Sequence, residues 1–256
     1  MKVAKRRLDV LLVERGLVQS RQRALALILA GEVWVNGQRL VKAGSLVPQD
    51  AAIRVTGKKI PYVSRGGLKL EAALQRFDID VIGLRCLDVG ASTGGFTDCL
   101  LQHGASHVIA VDVGYGQLHW TLRSDPRVTV IERTNIRHLD AGVLGEAVDL
   151  ACVDVSFISL RIVIPVVSGF LKRPGRMVCL IKPQFEVGKG LVGKGGVVRD
   201  PSLHRKVIED LTEAFSALGL RRAGMIPSPI LGPKGNQEYL VYLKAEPFAT
   251  CSAELT

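Results

Sequence analysis

The residues best suited to chemistry follow a short apolar segment near the middle of the chain. Residues 84–89 predict a buried strand, residues 90–95 a glycine-rich turn, and residues 96–102 the helix into which the turn opens. A strand, a tight turn and a helix N-terminus in this order leave free backbone N–H groups beside a surface without side chains. The segment therefore predicts a cofactor-binding loop.

The glycine spacing of this loop indicates the class of cofactor. The pattern is Gly-x-x-x-Gly-Gly rather than the Gly-x-Gly-x-x-Gly of a dinucleotide site, and an aspartate precedes the first glycine. A methyl donor has no pyrophosphate to cradle, whereas its cationic sulfonium and ammonium groups favour a nearby carboxylate. The loop thus favours S-adenosylmethionine, with a dinucleotide or a purely structural turn as the alternatives. The candidate cofactor residues here are Asp88, Gly90, Ser92, Thr93, Gly94 and Gly95.

Polar residues also follow the later predicted strands, at about 107–112, 128–132, 148–154 and 176–181. They are Asp112, Asn135, Asp154 and Lys182. Ligands bind at the carboxyl ends of parallel strands, so we expect these side chains to converge, with Asp154 among the cofactor-binding residues. Asp112, 22 positions after Gly90, is spaced to meet a ribose diol, and Asn135 to hydrogen-bond an adenine edge. For each of these two, the alternative is a cap or loop residue.

Asp154 and Lys182 both end strongly apolar strands, which places them at the rim of a partly desolvated pocket. Burial favours the neutral form of a lysine, while a neighbouring carboxylate opposes that shift. A lysine in this balance accepts the proton of a ribose 2′-hydroxyl. The alternative is an ordinary ion pair. Lys69 lies in the first turn of a helix predicted to end near Phe77. Because the helix dipole disfavours a positive charge at a helix N-terminus, this position favours a functional role for Lys69 over a structural one.

The alternation of strands and helices from Leu84 onward predicts the elements that position these residues. It indicates a mostly parallel sheet covered by helices on both faces, of α/β class. Residues 222–230 and 238–244 predict a terminal antiparallel hairpin. The five histidines show no metal-ligand spacing, so no metal site is expected.

The first sixty residues carry most of the positive charge. They hold 12 Lys and Arg against 4 Asp and Glu, whereas the rest of the chain holds 22 against 20. This distribution favours a polyanion as partner, and a basic solvated surface is the alternative. Helices at 7–15 and 20–30, a strand and tight turn at 33–37, and a strand pair within 46–55 predict a small α+β module. Candidate RNA-binding side chains are Arg6, Arg7, Arg15, Arg21, Arg23, Lys42 and Arg65.

Two patterns in this module carry a resemblance. Arg-Leu-Asp-x-Leu-Leu-Val-x-Arg-Gly-Leu-x-x-Ser-Arg-x-x-Ala begins at Arg7, and Gly-x-Val-x-Val-Asn-Gly begins at Gly31. Together they resemble the RNA-binding module named after ribosomal protein S-four. The resemblance implies an RNA-binding domain at residues 1–57. We further predict a linker at 58–63, a catalytic domain at 64–246 and a tail at 247–256.

Longer runs resemble the TlyA, or hemolysin A, family of ribosomal RNA 2′-O-methyltransferases, whose catalytic domain is FtsJ-like. These runs are residues 63–66, 88–97, 112–118, 154–160, 182–190 and 235–239. The family implies a Rossmann-like class I methyltransferase fold with a seven-stranded sheet, S-adenosylmethionine as cofactor, and a cytidine of large-subunit, and in some members small-subunit, ribosomal RNA as substrate. Its catalytic tetrad falls on Lys69, Asp154, Lys182 and Glu238.

Two other readings of the chain remain open from the sequence. One is an RNA-binding or ribosome-assembly factor that keeps the cofactor fold without turnover, and the other is a membrane-perturbing hemolysin. No apolar run approaches the roughly 20 residues that cross a bilayer.

Five cysteines without Cys-x-x-Cys spacing are typical of a reducing cytoplasm, where we expect the protein. The sequence sets no oligomeric state.

Overall fold

The structure, a computed structural model, describes residues 4–18, 20–29, 31–56, 60–188 and 190–246. The chain divides into two compact units, Met1–Lys59 and Ile60–Thr256. This division falls inside the linker predicted at residues 58–63. The predicted tail at 247–256 and the first part of the linker lie outside the described residues.

The smaller unit packs two helices against short strands around one apolar core that includes Leu8, Leu12 and Ile28. The helices are α1 (Leu8–Glu14) and α2 (Arg21–Leu29), and the strands are β1 (Lys5–Arg7), β2 (Val33–Val35), β3 (Gln38–Leu40), β4 (Leu46–Pro48) and β5 (Ile53–Val55). The tight turn between β2 and β3 is confirmed, because Asn36 and Gly37 both have positive φ, 49° and 79°.

The pairing predicted within residues 46–55 is wrong. β4 pairs with β1, whereas β5 pairs with β2, so the two strands belong to different sheets. The reason is that β1, which precedes the first helix, has only three residues and offers no periodicity to recognise it by. Its backbone nevertheless supplies the partner that β4 needs.

The larger unit contains a seven-stranded sheet in the order β11-β12-β10-β9-β6-β7-β8. Its strands are β6 (Arg85–Val89), β7 (His107–Val111), β8 (Val128–Ile131), β9 (Val148–Val153), β10 (Leu171–Ile181), β11 (Leu220–Pro227) and β12 (Tyr239–Ala245). Strands β6 to β10 pair in parallel, while β12 runs antiparallel to both β10 and β11. The predicted Rossmann-like α/β fold with a terminal antiparallel hairpin is therefore confirmed.

Helices cover both faces of this sheet. They are α3 (Gly66–Arg76), α4 (Gly95–Gln102), α5 (Trp120–Arg123), α6 (Ala141–Leu144), α7 (Leu160–Ser168), α8 (Pro183–Glu186) and α9 (Pro201–Ser216). Buried residues of α3 and α4 share one apolar cluster, and those of α7 and α9 share the other. α7 ends at Ser168, shortly before β10 begins at Leu171, and Asp200 caps the start of α9 by accepting the Ser202 N–H.

Strand periodicity decides which face the site occupies. Cys152 of β9, Leu180 of β10 and Leu240 of β12 all pack into the cluster beneath α3 and α4. Side chains two positions apart on a strand point to the same face. Asp154, Lys182 and Glu238 lie two positions from those residues, so they emerge on the α3 face at the sheet edge.

Candidate active site

Lys182 follows the end of β10, and Pro183 begins the short helix α8 immediately after it. The side chain is buried, with 8% of its residue surface exposed. Its Nζ lies 2.5 Å from Asp154 Oδ1 and donates to Ser156 Oγ at 2.9 Å. The Asp154 and Ser156 oxygens therefore hold the amine at the carboxyl ends of two adjacent parallel strands.

Lys69 and Glu238 form a second pair beside it. Lys69 Nζ donates to Glu238 Oε2 at 2.5 Å across the space between α3 and the start of β12. The lysine side chain is 7% exposed and the glutamate 0%. Gly232 lies against the glutamate, and a Cβ at position 232 would overlap the carboxylate. The absence of a side chain there leaves room for Glu238.

The sheet register brings the two pairs together. Ile181 lies opposite Tyr239 in the antiparallel β10–β12 ladder. Lys182 and Glu238 are the next residues outward on each strand, so they occupy neighbouring positions at one edge. The four residues of the predicted tetrad thus gather on one face of the sheet, as two lysine–carboxylate pairs.

A cavity of about 580 Å³ opens beside Asp154 over the ends of β6, β7 and β9. Gly90 has a φ of 85°, and a Cβ there would lie 2.5 Å from the Asp154 carbonyl oxygen, so glycine is required for this close approach. Five predicted cofactor residues line the cavity: Gly90, Ser92, Asp112, Asn135 and Asp154. Apolar side chains such as Val113 and Ile136 complete its wall.

Asp112 and Asn135 shape the rim through backbone contacts. Asp112 accepts the Ser92 N–H at 2.8 Å through Oδ2 and the Gly114 N–H at 2.7 Å through Oδ1. Asn135 Oδ1 accepts the Arg137 N–H at 3.1 Å and caps a 3₁₀ turn. Both residues are only half-buried. They hold the loops after β6, β7 and β8 in place around the cavity.

The other predicted cofactor residues lie outside the lining. Asp88 is fully buried, and its Oδ2 accepts the Thr97 N–H at 2.9 Å and the Thr97 hydroxyl at 2.7 Å. Burial raises the pKa of Asp88 to about 7. Thr93 accepts the His119 N–H through its carbonyl, while a Cβ at Gly94 would overlap Leu122 and a Cβ at Gly95 would overlap Ser64. These four residues build the turn and the start of α4 rather than the cavity surface.

Three residues of the site have no individual signal in the sequence. Ser156 contacts Lys182, Gln117 lines the cavity, and Phe157 lies at its rim with a φ of 63° and 90% of its surface exposed. The Phe157 and Phe185 ring centroids are 4.9 Å apart. Local patterns predict neither an exposed aromatic ring nor a hydroxyl two residues after a strand-end aspartate, so only the fold reveals them.

Several predicted RNA-binding arginines have partners within the smaller unit. Arg7 and Arg21 both pair with the buried Asp9, at 3.0 and 2.9 Å, and they hold the pKa of that carboxyl well below its usual range. Arg15 donates to the backbone carbonyls of Gln49 and Ala51. Each of these side chains has a structural role, which the charge pattern did not predict, and each also remains exposed to solvent.

The remaining candidates vary in their surroundings. In the smaller unit, Arg6 lies 3.7 Å from Glu14 and Lys42 is exposed, while Arg65, which is also exposed, belongs to the larger unit. The side chain of Arg23 lies outside the part of the chain that the structure describes. The smaller unit therefore offers exposed cationic groups, some of them already fixed by a carboxylate or a carbonyl.

Comparisons with known proteins match the larger and the smaller unit of the chain to two different families. Residues 62–245 match the family described as FtsJ-like methyltransferase, and residues 6–53 match the S4 domain. A Mycobacterium tuberculosis protein named 16S/23S rRNA (cytidine-2′-O)-methyltransferase TlyA is 49% identical, over 97% of this chain and 93% of its own length.

Two further proteins are similar over most of the chain. A Brachyspira hyodysenteriae protein named Hemolysin A is 42% identical, over 92% of this chain and 98% of its own. A solved structure described as "Putative hemolysin from Streptococcus thermophilus" has a TM-score of 0.77 with 42% identity, and the match covers 96% of this chain and 90% of that one.

Proposed function

Because the chain belongs to the TlyA family of FtsJ-like methyltransferases with an S4 domain, we propose that it methylates the ribose 2′-oxygen of a cytidine in ribosomal RNA. The methyl donor is S-adenosylmethionine. The observation that carries the proposal is the Lys182 amine, held 2.5 Å from Asp154 beside a cavity that Asp154 itself lines. Asp154 thus contacts the proposed proton acceptor, Lys182, and also lines a cavity large enough for the cofactor.

The cavity fits the proposed cofactor. Its volume of about 580 Å³ lies within the range of small-molecule sites, roughly 300 to 1,000 Å³. Mixed walls suit a nucleoside, since Asp112 and Asn135 offer polar atoms while Val113 and Ile136 offer apolar surface. When bound, S-adenosylmethionine supplies an electrophilic methyl group on a sulfonium. Asp154 places a carboxylate on the wall that such a cation would face.

Lys182 is the general base in this proposal. An amine accepts a proton only in its neutral form, and the lone pair must point at the hydroxyl that loses the proton. The contacts to Asp154 Oδ1 and Ser156 Oγ fix the direction of Nζ. The burial of Lys182 keeps water from competing for the same position.

Lys69 supplies a positive charge next to that base. Its ammonium is oriented by Glu238, which is itself fully buried. A fixed cation in a water-poor site stabilises negative charge as it develops on an oxygen. We therefore assign Lys69 to the alkoxide side of the reaction and Glu238 to positioning Lys69.

RNA binding involves different parts of the chain. Phe157 presents an exposed ring at the rim of the cavity, where a base taken out of its stack would find an aromatic face. The exposed arginines of the S4 domain are suited to phosphate contacts, which position RNA without reading its sequence. Among the described residues, no helix is long and apolar enough to cross a membrane. A ribosomal substrate locates the activity in the cytoplasm.

Mass spectrometric mapping of ribose methylation tests the function directly. Both ribosomal subunits are isolated from cells with and without the protein, and the deletion strain is complemented with the full chain. We expect one or more cytidine methyl groups to disappear on deletion and return on complementation. Unchanged ribose methylation in both subunits would contradict the proposal and favour a non-catalytic assembly factor.

A further inference from the structure

A second cavity, of about 390 Å³, lies where α9 covers the sheet, on the face opposite the one on which the tetrad emerges. It opens where α9 begins, against the first residue of β12. Its lining is Arg199, Pro201, His204, Arg205, Ile208 and Tyr239. None of these residues belongs to the tetrad or to the first cavity, so nothing in the reaction described above uses this space.

The position of the second cavity relates it to the tetrad. Tyr239 follows Glu238 directly and lies opposite Ile181, the residue before Lys182. Because β12 is antiparallel to β10, its start lies at the edge where β10 ends. Along that edge, the first cavity lies at β7, β6 and β9, the tetrad at β9, β10 and β12, and the second cavity at β12. The three sites are therefore consecutive along the sheet.

The lining of the second cavity is cationic. Arg199 and Arg205 are exposed, and within the described part of the chain neither guanidinium has a hydrogen bond or an ion pair. The adjacent Asp200 caps α9 by accepting the Ser202 N–H at 2.8 Å. The Ser202 hydrogen bonds hold the pKa of Asp200 below its ordinary value, and the nearby Arg205 charge makes a smaller contribution in the same direction. Two guanidiniums thus stand at one cavity with their donor groups available.

The floor of the second cavity is polar and firmly held. His204 Nε2 lies 2.9 Å from the Val198 carbonyl, which only accepts, so Nε2 carries a hydrogen. Nδ1 lies 2.9 Å from the Tyr239 hydroxyl. The Val198 N–H in turn donates to Asn236 Oδ1 at 3.1 Å, in the loop that leads to Glu238. The floor is therefore connected by hydrogen bonds to the segment that carries the tetrad glutamate.

We propose that the second cavity binds a phosphate of the RNA strand that flanks the methylated nucleotide. The inference rests on the proposed function, since it assumes an RNA whose ribose lies at the tetrad. Guanidinium groups bind phosphate oxygens through paired N–H donors in a fixed geometry. An RNA strand that crosses the sheet edge at Lys182 next reaches Tyr239. Arg199 and Arg205 then neutralise a phosphate of the RNA backbone beyond the methylated nucleotide.

Charge-matched substitutions test the phosphate site. Arg199→Ala and Arg205→Ala each remove one guanidinium from the lining, while Lys206→Ala removes one charge from the next position of α9, which is exposed and outside the lining. The full-length variants are assayed for methyl transfer to ribosomal subunits isolated from cells that lack the protein. Each arginine variant should raise the KM for the subunit about 10-fold, because a hydrogen-bonded charge pair is lost.

Other readouts separate a phosphate contact from a structural role. In both arginine variants, kcat and the affinity for S-adenosylmethionine should stay at the wild-type level. The slope of log Kd for RNA against log salt concentration should become shallower by about 0.7 per lost contact with single-stranded RNA. Arg199→Lys should keep that slope, since it keeps the charge, while recovering only part of the affinity.

Two results would overturn the inference. One is an increase in KM no larger than that of Lys206→Ala, and the other is a fall in kcat with unchanged KM. If the wild-type protein itself transfers no methyl group to either subunit, the proposed function fails. If the wild type is active and both arginine variants match Lys206→Ala, the phosphate site alone is wrong.

Discussion

The two lysine–carboxylate pairs at the sheet edge have the same N–O distance, 2.5 Å, but different surroundings. The Lys69–Glu238 pair is closed, with its glutamate fully buried, whereas Asp154 keeps 21% of its side chain exposed and lines the large cavity. A closed ion pair must offset the desolvation of both charges, while an open one remains available to a ligand. Equal N–O distances therefore support different roles: Lys69, positioned by Glu238, stabilises charge on the oxygen, while Lys182 beside the open Asp154 accepts the proton.

The pairs also differ in what else fixes their lysines. Lys182 has a second contact, to Ser156 Oγ at 2.9 Å, and follows directly on a long central strand. Lys69 extends from α3 and meets Glu238, whose carboxylate has room only because position 232 is glycine. We therefore expect changes at Lys182 to act on the reaction, and changes at Lys69 or Glu238 to act on stability as well.

Replacement of Lys182 should have the largest effect on activity. Lys182→Met keeps the length of the side chain but removes the proton acceptor, and should lower kcat by about 1,000-fold, as expected for loss of a general base. Lys182→Arg should be equally inactive, because a guanidinium cannot be deprotonated in a protein. Single-turnover methyl transfer measures both effects, with S-adenosylmethionine affinity and melting temperature as controls. An active Lys182→Arg enzyme would show that the site needs only a positive charge.

The closed Lys69–Glu238 pair should affect the free energy of unfolding. Lys69→Met leaves a buried carboxylate without its cation, and should lower the free energy of unfolding by about 3 to 5 kcal/mol. The double variant Lys69→Met/Glu238→Leu removes both charges, and should recover most of that loss while remaining inactive. Urea denaturation of the single and double variants measures the difference. If the double variant is less stable than Lys69→Met, the pair contributes more than the mutual neutralisation of two buried charges.

The two pairs show which features of the site could be predicted from the sequence and which could not. The carboxyl ends of the strands were predictable, because apolar runs of strand length end at Asp154 and Lys182. That Glu238 emerges next to Lys182 depends on the antiparallel register of β10 and β12, which is a long-range pairing. The depth of each residue also depends on which helices cover it, and no local pattern encodes that.

The same limit applies to other predicted site residues, whose side-chain contacts no local pattern gives. Asp88 lies at the end of β6, just before the glycine-rich turn, and its Oδ2 accepts the Thr97 N–H and hydroxyl. The Arg7 and Arg21 side chains share Asp9, whose burial follows from the packing of α1. Charge and spacing identified the right segments, whereas the direction of each side chain required the tertiary structure.

Asp88 offers a comparison with both pairs, since it is a buried carboxylate without a cation. Burial raises its pKa to about 7, well above the ordinary 3.8, so the folded state holds the proton more tightly than the unfolded state. Its stabilising contribution is complete below about pH 4 and is lost as the pH rises through 7, an effect on the order of 4 kcal/mol. Asp88→Asn should remove this pH dependence. Thermal unfolding of both proteins from pH 4 to pH 8 measures it, and parallel profiles would contradict the assignment.

The smallest effect should come from Ser156, the additional contact that only the open pair has. Ser156→Ala removes the oxygen that accepts from Lys182 Nζ, but it leaves Asp154 at 2.5 Å. One lost hydrogen bond to a charged group corresponds to about a 10-fold decrease in kcat, with little change in KM, because the hydroxyl orients the base rather than binding RNA. Ser156→Thr keeps the hydroxyl and should restore the rate. A Ser156→Ala enzyme with wild-type kcat would mean that Asp154 alone directs the amine, and the open pair would then resemble the closed one in having a single carboxylate as its support.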